Sequence, residues 1–126
     1  AIDLGMIGIV FNWHTPFTED DPLWLNYEER NRNIDTILGL SDKHNDFIWN
    51  TPEELEILRS SEWTQRCPNW FVISVDASGR RKQPCVFGGA VCEKCGCHVF
   101  PSLLATLGRT KQGMLMRLAN AYWSRH

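Results

Sequence analysis

The sequence predicts a small α+β domain with an antiparallel hairpin or sheet, three to four helices and a zinc knuckle. Three observations support this prediction: short β-branched and aromatic runs at residues 6–11 and 70–75, amphipathic segments that follow helix-capping residues, and a group of cysteines near residue 95. The chain has 126 residues, 43% of them hydrophobic and 22% charged, which is enough for one hydrophobic core. We therefore expect a single domain over residues 1–126.

Two regions of the chain have the composition of β-strands. Residues 6–11 (MIGIVF) form a short apolar run bounded by polar residues, which predicts a first strand. Residues 70–75 (WFVISV) are rich in aromatic and β-branched side chains, and a turn over residues 77–80 follows them. Residues 81–91 are expected to return as the antiparallel partner of residues 70–75.

Helices are predicted where capping residues precede apolar residues at helical spacing. Asp21 is the predicted N-cap of the first helix, with Pro22 at its first position and Gly39 as a left-handed stop. Thr51 and Pro52 predict the start of the second helix in the same way, within a capping box. The predicted helices cover residues 22–38, residues 52 to about 60 or 63, residues 101–107 and residues 110–123.

Charge is distributed unevenly along the chain. Residues 1–63 contain four Lys or Arg against thirteen Asp or Glu, a net charge of −9, whereas residues 64–126 contain nine against two, a net charge of +7. An acidic, helical half and a basic half therefore make up a chain of net charge −2. This asymmetry predicts an anionic partner for the basic half or contact between the halves, although both could be solvated faces that interleave. No apolar run approaches the roughly 20 residues that span a bilayer, so no membrane partner is expected.

The cysteines carry the most specific chemical signal. Cys92, Cys95 and Cys97 lie with His98 within seven residues, a spacing that suits reduced thiols better than disulfides and favours an intracellular setting, cytosolic or nuclear. In the C-x-x-C-G turn, two thiolates can both lie about 2.3 Å from one zinc ion. Gly96 lets the backbone turn there without a Cβ clash.

A structural Zn²⁺ needs four ligands in tetrahedral order, and it is the expected cofactor. We expect Cys85, Cys92 and Cys95 to be ligands, because the predicted hairpin brings Cys85 close to the cysteine turn. Either Cys97 or His98 would be the fourth, since adjacent side chains of an extended segment point in opposite directions. The alternative is that the cysteines are small buried hydrophobic residues. The residues that could complete the site are Cys97, His98, Cys67, His14 and His44.

The basic half and the tryptophans supply the expected binding residues. The expected basic face consists of Arg80, Arg81, Lys82, Arg109 and Lys111. Such a face binds nucleic acid or an acidic protein surface. Of the six tryptophans, Trp13 and Trp123 are expected to be exposed, as anchors for a partner. These features predict a non-enzymatic, zinc-stabilised regulatory module that binds a macromolecule through its basic half.

Two short segments have resemblances that favour an alternative function. Residues 51–59 (TPEELEILR) resemble a stretch of the adenoviral early-region-4 protein family. The Cys/His cluster followed by Ser102 and Leu103 is similar to the lentiviral Vif family, in which a zinc site precedes an elongin-binding box; Leu104 and Thr106 depart from that box. Both families bring host proteins to ubiquitin ligases. The resemblance therefore implies a viral protein–protein adaptor that uses exposed tryptophans and amphipathic helices.

The third class of function is a thiol or zinc hydrolase. Cys67 could act as a nucleophile if the fold brought His14, His44 or His98 to it as a general base. Nothing in the sequence around Cys67 marks a nucleophile, so we expect no enzymatic activity.

Overall fold

Helices joined by long irregular segments make up the part of the chain that the computed structural model describes, residues 2–82 and 85–109. The α-helices of these residues are α1 (Tyr27–Ser41), α2 (Pro52–Ile57) and α3 (Val99–Arg109). Short 3₁₀ helices occur at Ile2–Leu4, Glu62–Arg66, Asn69–Phe71 and Cys92–Lys94. No helix in the described ranges is both long enough and apolar enough to cross a membrane.

The predicted hairpin or sheet is wrong, and with it the α+β class. Residues 2–82 and 85–109 contain no strand, only two isolated bridges, between Ile9 and Ile48 and between Val75 and Arg81. The first bridge does not extend into a pair of strands, because the Asn50 side chain forms the hydrogen bonds to the Phe11 backbone that a neighbouring strand would form. Its Oδ1 accepts from the Phe11 N–H at 2.6 Å and its amide donates to the Phe11 carbonyl at 3.1 Å.

The second predicted strand pair, residues 70–75 with residues 81–91, is interrupted on both sides of the turn at residues 77–80. A 3₁₀ helix occupies Asn69–Phe71, where the first of these strands was expected to begin. Gly88 and Gly89 adopt φ angles of 63° and 78°, which are incompatible with extended backbone. Only the bridge of Val75 with Arg81 remains, so the segment is a local turn rather than a hairpin.

Helix α1 begins later than the sequence predicted. Its N-cap is Asn26, whose side chain accepts from the Glu29 N–H at 2.9 Å, while the Glu29 carboxylate accepts from the Asn26 N–H at 3.2 Å. Asp21 closes only a turn, through its carboxylate and the Leu23 N–H. The reciprocal capping box supplies two bonds where Asp21 supplies one, so it sets the start of the helix. Gly39 is not a stop, because it lies inside α1.

The predicted start of α2 is confirmed. Thr51 caps the helix by accepting from the Glu54 N–H at 3.2 Å, and Pro52 occupies the first helical position. The capping box is incomplete, because the Glu54 carboxylate accepts from the Asn50 amide instead. Helix α3 starts two residues before the predicted position. The helix predicted over residues 110–123 lies outside the described residues.

One hydrophobic core joins the acidic and basic halves. Helix α2 packs against both α1 and α3. The cysteine turn lies at the edge of this core, because Cys95 and Cys97 are among its buried members. The buried core residues are Trp13, Ile34, Ile37, Ile48, Leu55, Leu58, Trp63, Cys95, Cys97 and Phe100.

Candidate metal centre

The cysteine turn is held tightly by an irregular segment of the acidic half. The turn closes through the Cys95 N–H, which donates to the Cys92 carbonyl at 3.0 Å. The Gly96 N–H donates to Thr15 Oγ1 at 3.0 Å, and the Trp13 N–H donates to the Gly96 carbonyl at 3.2 Å. A Cβ on Gly96 would lie 2.4 Å from the Trp13 carbonyl oxygen. A glycine is therefore required at position 96, because the backbone of Trp13 passes too close to leave room for a side chain.

Helix α1 binds the same turn from another side. The Tyr27 hydroxyl donates to the Glu93 carbonyl. The Arg30 guanidinium donates to the Cys95 carbonyl at 2.9 Å and, more weakly, to the Lys94 carbonyl at 3.4 Å. Three consecutive carbonyls of the turn thus accept hydrogen bonds from side chains of one helix, which fixes the turn relative to α1.

Lys94 ties the basic half to the acidic half. Its ammonium lies 2.8 Å from a carboxylate oxygen of Glu19 and 4.8 Å from the centre of a Trp24 ring. The ion pair and the cation–π contact involve residues on opposite sides of the charge boundary in the sequence. Lys94 therefore joins the acidic and the basic half at one point.

All five cysteines are free, and four of them share an environment that favours the neutral thiol. Burial, with smaller contributions from charge on Cys95, Cys85 and Cys97, raises the pKa of Cys67 to about 12. Burial likewise raises the pKa of Cys92, Cys95 and Cys97. In all four cases a charged Cys85 would add to the rise in pKa.

Backbone N–H groups point at three of the sulfur atoms. The Asn69 N–H donates to Cys67, and the Cys97 N–H donates to Cys95; each bond lowers the pKa of the thiol that accepts it. The sulfur of Cys97 accepts from the first two N–H groups of α3. Such bonds favour the thiolate, the form that binds metal.

The predicted ligands lie in different surroundings. Cys95 and Cys97 are buried in the core and Cys85 packs against it, whereas the His98 ring lies 3.4 Å from the Asn12 side chain. Within residues 2–82 and 85–109, no group of three or more His, Cys, Asp or Glu side chains has the arrangement of a metal site.

Cys67 also packs against the core, although the sequence ranked it below Cys85. The signal that could have raised its rank is Pro68, which turns the chain directly after it. Of the remaining candidate ligands, His14 contacts Asp21 at 2.8 Å.

The predicted basic face is described only in part. Arg80 is exposed and lies 3.2 Å from the Asp76 carboxylate, and Arg81 is exposed. The Lys82 ammonium donates to the Val86 carbonyl at 3.4 Å. Arg109 ends α3, and Lys111 lies outside the described residues.

Of the two tryptophans that were expected to be exposed, only Trp13 lies within the described residues. Trp13 was expected to be exposed, but it is only 7% exposed because the cysteine turn covers it. Trp123 lies outside the described residues. The sequence missed Trp49, which is 54% exposed and whose ring lies against Gly8. A Cβ at residue 8 would have to displace that ring, and a glycine opposite a tryptophan is the signal that marks such a contact.

The fold and the site define a class of protein: a helix-rich domain with a group of thiols at the edge of its core. Comparison with protein-family models, with curated proteins and with solved structures found no match.

Proposed function

We propose that this chain is a non-enzymatic, zinc-stabilised module that binds the acidic surface of a partner protein. The observation that carries the proposal is the closed turn from Cys92 to Cys95, together with Cys67 and Cys85, which pack against the same core as Cys95. Zinc would bind these four sulfurs as thiolates and displace their protons. The reduced state of the thiols fits an intracellular protein.

We assign the fourth ligand position to Cys67 rather than to Cys97. The negative charge of Glu54 adds to the rise in the pKa of Cys97 and so disfavours the thiolate that zinc would bind. Cys67 has no such carboxylate among the groups that shift its pKa; its neighbours are the other thiols. In this arrangement Cys97 caps α3 as an uncoordinated thiol.

The environment of Cys67 argues against a hydrolase. A nucleophilic cysteine needs a lowered pKa, which a neighbouring histidine or a helix N-terminus provides. Burial, with a smaller contribution from the surrounding thiols, instead raises the pKa of Cys67 to about 12. A side chain that is protonated at neutral pH suits a ligand awaiting a metal better than a nucleophile.

Metal content of the purified full chain tests the zinc proposal. We expect one zinc per chain in the wild type, and its loss in Cys67→Ser, Cys92→Ser and Cys95→Ser. Cys97→Ser is the matched control and should keep its zinc. A folded wild type without metal, or with iron in place of zinc, contradicts the proposal. Loss of zinc from Cys97→Ser but not from Cys67→Ser reverses the assignment of the fourth ligand.

The surface next to the turn at residues 76–80 supports an acidic protein as the partner. Arg81 is exposed, and the bridge with Val75 places it beside an apolar side chain that is also exposed. Ile73, two residues earlier, is 72% exposed. Asp76 lies within the same turn and offsets the charge of Arg80. A mixed apolar and cationic surface with an internal carboxylate fits a protein better than a phosphate backbone.

Fluorescence anisotropy with two probes tests the nature of the partner. We expect the zinc-loaded chain to bind a labelled acidic peptide that also contains leucines, and Arg81→Glu to weaken this binding. Arg32→Glu is the matched control, because Arg32 is an exposed arginine of α1, paired with Glu28. Tight binding to a labelled DNA or RNA oligonucleotide, with affinity falling steeply as salt rises, would instead support nucleic acid as the partner.

A further inference from the structure

The segment before the turn at residues 76–80 is extended. Val72 has φ and ψ angles of −122° and 123°, which are those of a strand. Exposure then alternates along the chain, because Ile73 and Val75 are exposed and Ser74 between them is half-buried. A period of two residues is typical of an extended chain, whose successive side chains point to opposite faces. One bridge, at Val75, pairs this segment with the other side of the turn.

That bridge uses only one edge of the extended segment. The N–H groups of Lys82 and Asp76 donate to the carbonyls of Ser74 and Arg80 respectively, each at 2.8 Å. These two bonds flank Val75, so Val75 and its bridge partner form the kind of antiparallel pair in which neither residue bonds the other. The backbone groups of Val75 therefore point away from the turn's second arm.

The opposite edge has no strand beside it. Backbone groups of alternate residues in an extended chain point to the same edge, so the N–H and carbonyl groups of Ile73 and Val75 share this one. None of these four groups has a hydrogen bond to the part of the chain that the structure describes. We call these four groups the open edge. Such a row of unpaired backbone groups is a template for a strand of another chain.

The side chains beside the open edge combine apolar surface with a positive charge. Val75 and Arg81 are directly opposite each other in the bridge, so their side chains lie on one face, which Ile73 shares. All three residues are exposed. Arg81 forms no ion pair with any carboxylate of the described residues, whereas Arg80 pairs with Asp76. This face is therefore complementary to a strand that carries apolar and acidic side chains.

We propose that the open edge binds an extended acidic segment of the partner protein by strand addition. This inference rests on the proposed acidic partner and states how that partner is recognised. The backbone of Ile73 and Val75 supplies the hydrogen bonds, and their side chains pack against β-branched residues of the incoming strand.

Arg81 selects a carboxylate on the same face of the incoming strand. Two strand spacings, about 10 Å, separate the two backbones, and an arginine and a glutamate side chain together span that distance across Val75. A second copy of this chain fits the open edge less well, because it brings another Arg81 to the same face and like charges there are unfavourable.

N-methylation of a peptide backbone tests strand addition without changing the protein. The probe is a fluorescein-labelled peptide of seven residues, in which threonines at the odd positions alternate with valine, glutamate and valine. The side chains of the valines and the glutamate lie on the face of Ile73 and Val75, so their three amides point at the open edge. N-methylation of these amides blocks the hydrogen bonds. N-methylation of the last three threonines is the matched control, because their amides point away from the edge.

Fluorescence anisotropy with the full chain measures the binding of each peptide. We expect the unmethylated probe to bind, the first methylated peptide to bind about 10-fold or more weakly, and the control peptide to keep its affinity within about threefold. Glutamine in place of the probe's glutamate should weaken binding to the wild type but not to Arg81→Gln. Ile73→Asp should weaken binding as well, whereas Leu23→Asp, at another exposed apolar residue, should not.

Any result other than a larger loss from the first methylated peptide overturns the inference, as do equal losses in the two aspartate variants. Self-association of the chain that Ile73→Asp abolishes, without binding of the probe, assigns the open edge to a second copy and also overturns it. A chain that binds the acidic leucine-containing peptide but not this probe overturns this inference alone. A chain that binds neither peptide overturns the proposed acidic partner as well.

Discussion

Gly96 shows how one backbone atom can determine a residue type. The Trp13 carbonyl leaves no room for a side chain at position 96, because a Cβ there would lie 2.4 Å from the carbonyl oxygen. The close approach allows the Trp13 N–H to reach the Gly96 carbonyl, and Thr15 to bond the Gly96 N–H. The sequence suggested a glycine for a tight turn, and the structure gives a different reason, the passage of a second segment.

We expect Gly96→Ala to lower the free energy of unfolding by about 1–3 kcal/mol, the usual effect of forcing an extra carbon into a packed site. Gly39→Ala is the control, because Gly39 lies inside α1 with no atom within 4 Å of an added Cβ. That substitution should stabilise the protein by about 0.5–1 kcal/mol through helix propensity. Urea unfolding monitored by tryptophan fluorescence measures both changes. Equal effects of the two substitutions would contradict the close approach.

Glu54 is a buried carboxyl that should make stability depend on pH. It is 2% exposed and accepts a hydrogen bond from the Asn50 amide at 2.8 Å. Burial raises its pKa above the ordinary value of 4.5, against the opposing effects of Asn50 and of a charged His98. Since the folded state holds the proton more tightly than the unfolded state, the contribution to stability is present below pH 4.5 and is lost as pH rises through the raised pKa.

Glu54→Gln removes this dependence, because glutamine stays neutral and its carbonyl can still accept from Asn50. The free energy of unfolding of the variant, relative to the wild type, should therefore be higher at about pH 7 than at about pH 4. Urea unfolding at the two pH values measures the difference. Glu62→Gln, at an exposed position of the neighbouring 3₁₀ helix, controls for the loss of one negative charge. A difference that does not change with pH would contradict the assignment.

At the scale of elements, the N-caps decide where the helices begin. Asn26 and Glu29 bond each other's backbone at the start of α1, whereas Asp21 bonds Leu23 and the ring of His14. Asn26→Ala should lower the free energy of unfolding by about 0.5–2 kcal/mol. Asp21→Ala removes only surface contacts and should change it by less than about 0.5 kcal/mol. Chemical unfolding of the two variants compares them, and the reverse order would support the start predicted from the sequence.

The sequence predicts elements well where the determining contacts are local. Thr51 and Pro52 lie next to the helix they start, and α2 begins where they predict. The hairpin fails because its outcome depends on non-local competition: the Asn50 side chain pairs with Phe11, 39 residues away, in place of a strand. Positive φ angles at two adjacent glycines then interrupt the other expected partner.

The same distinction applies to the candidate site. The C-x-x-C-G spacing is local, and the turn that it predicts closes through the Cys95 N–H and the Cys92 carbonyl. Arg30 and Thr15 hold this turn from 65 and 80 residues away, and periodicity in the sequence contains no information on such contacts. Cys67 likewise reaches the core that contains Cys95 and Cys97 only through the fold.

The whole molecule is organised around contacts between two oppositely charged halves. The cysteine turn belongs to the basic half, yet Trp13, Thr15, Tyr27 and Arg30 of the acidic half hold it. Lys94 adds an ion pair with Glu19. A metal that fixes the turn therefore stabilises α1 and the segment at residues 13–16 as well, so the two halves should unfold together.

Removal of the proposed zinc by a chelator tests this coupling. Because each kcal/mol lost lowers the Tm by roughly 2–8 °C in domains of about this size, we expect the loss of a structural metal to lower the Tm by more than about 8 °C. Hydrogen exchange should show reduced protection in α1 and in the cysteine turn together. Cys92→Ser, which already lacks the metal in our proposal, should show no further change with chelator. Reduced protection confined to residues 85–97, with α1 unchanged, would mean that the metal stabilises the turn alone and that the halves are held together by the apolar core.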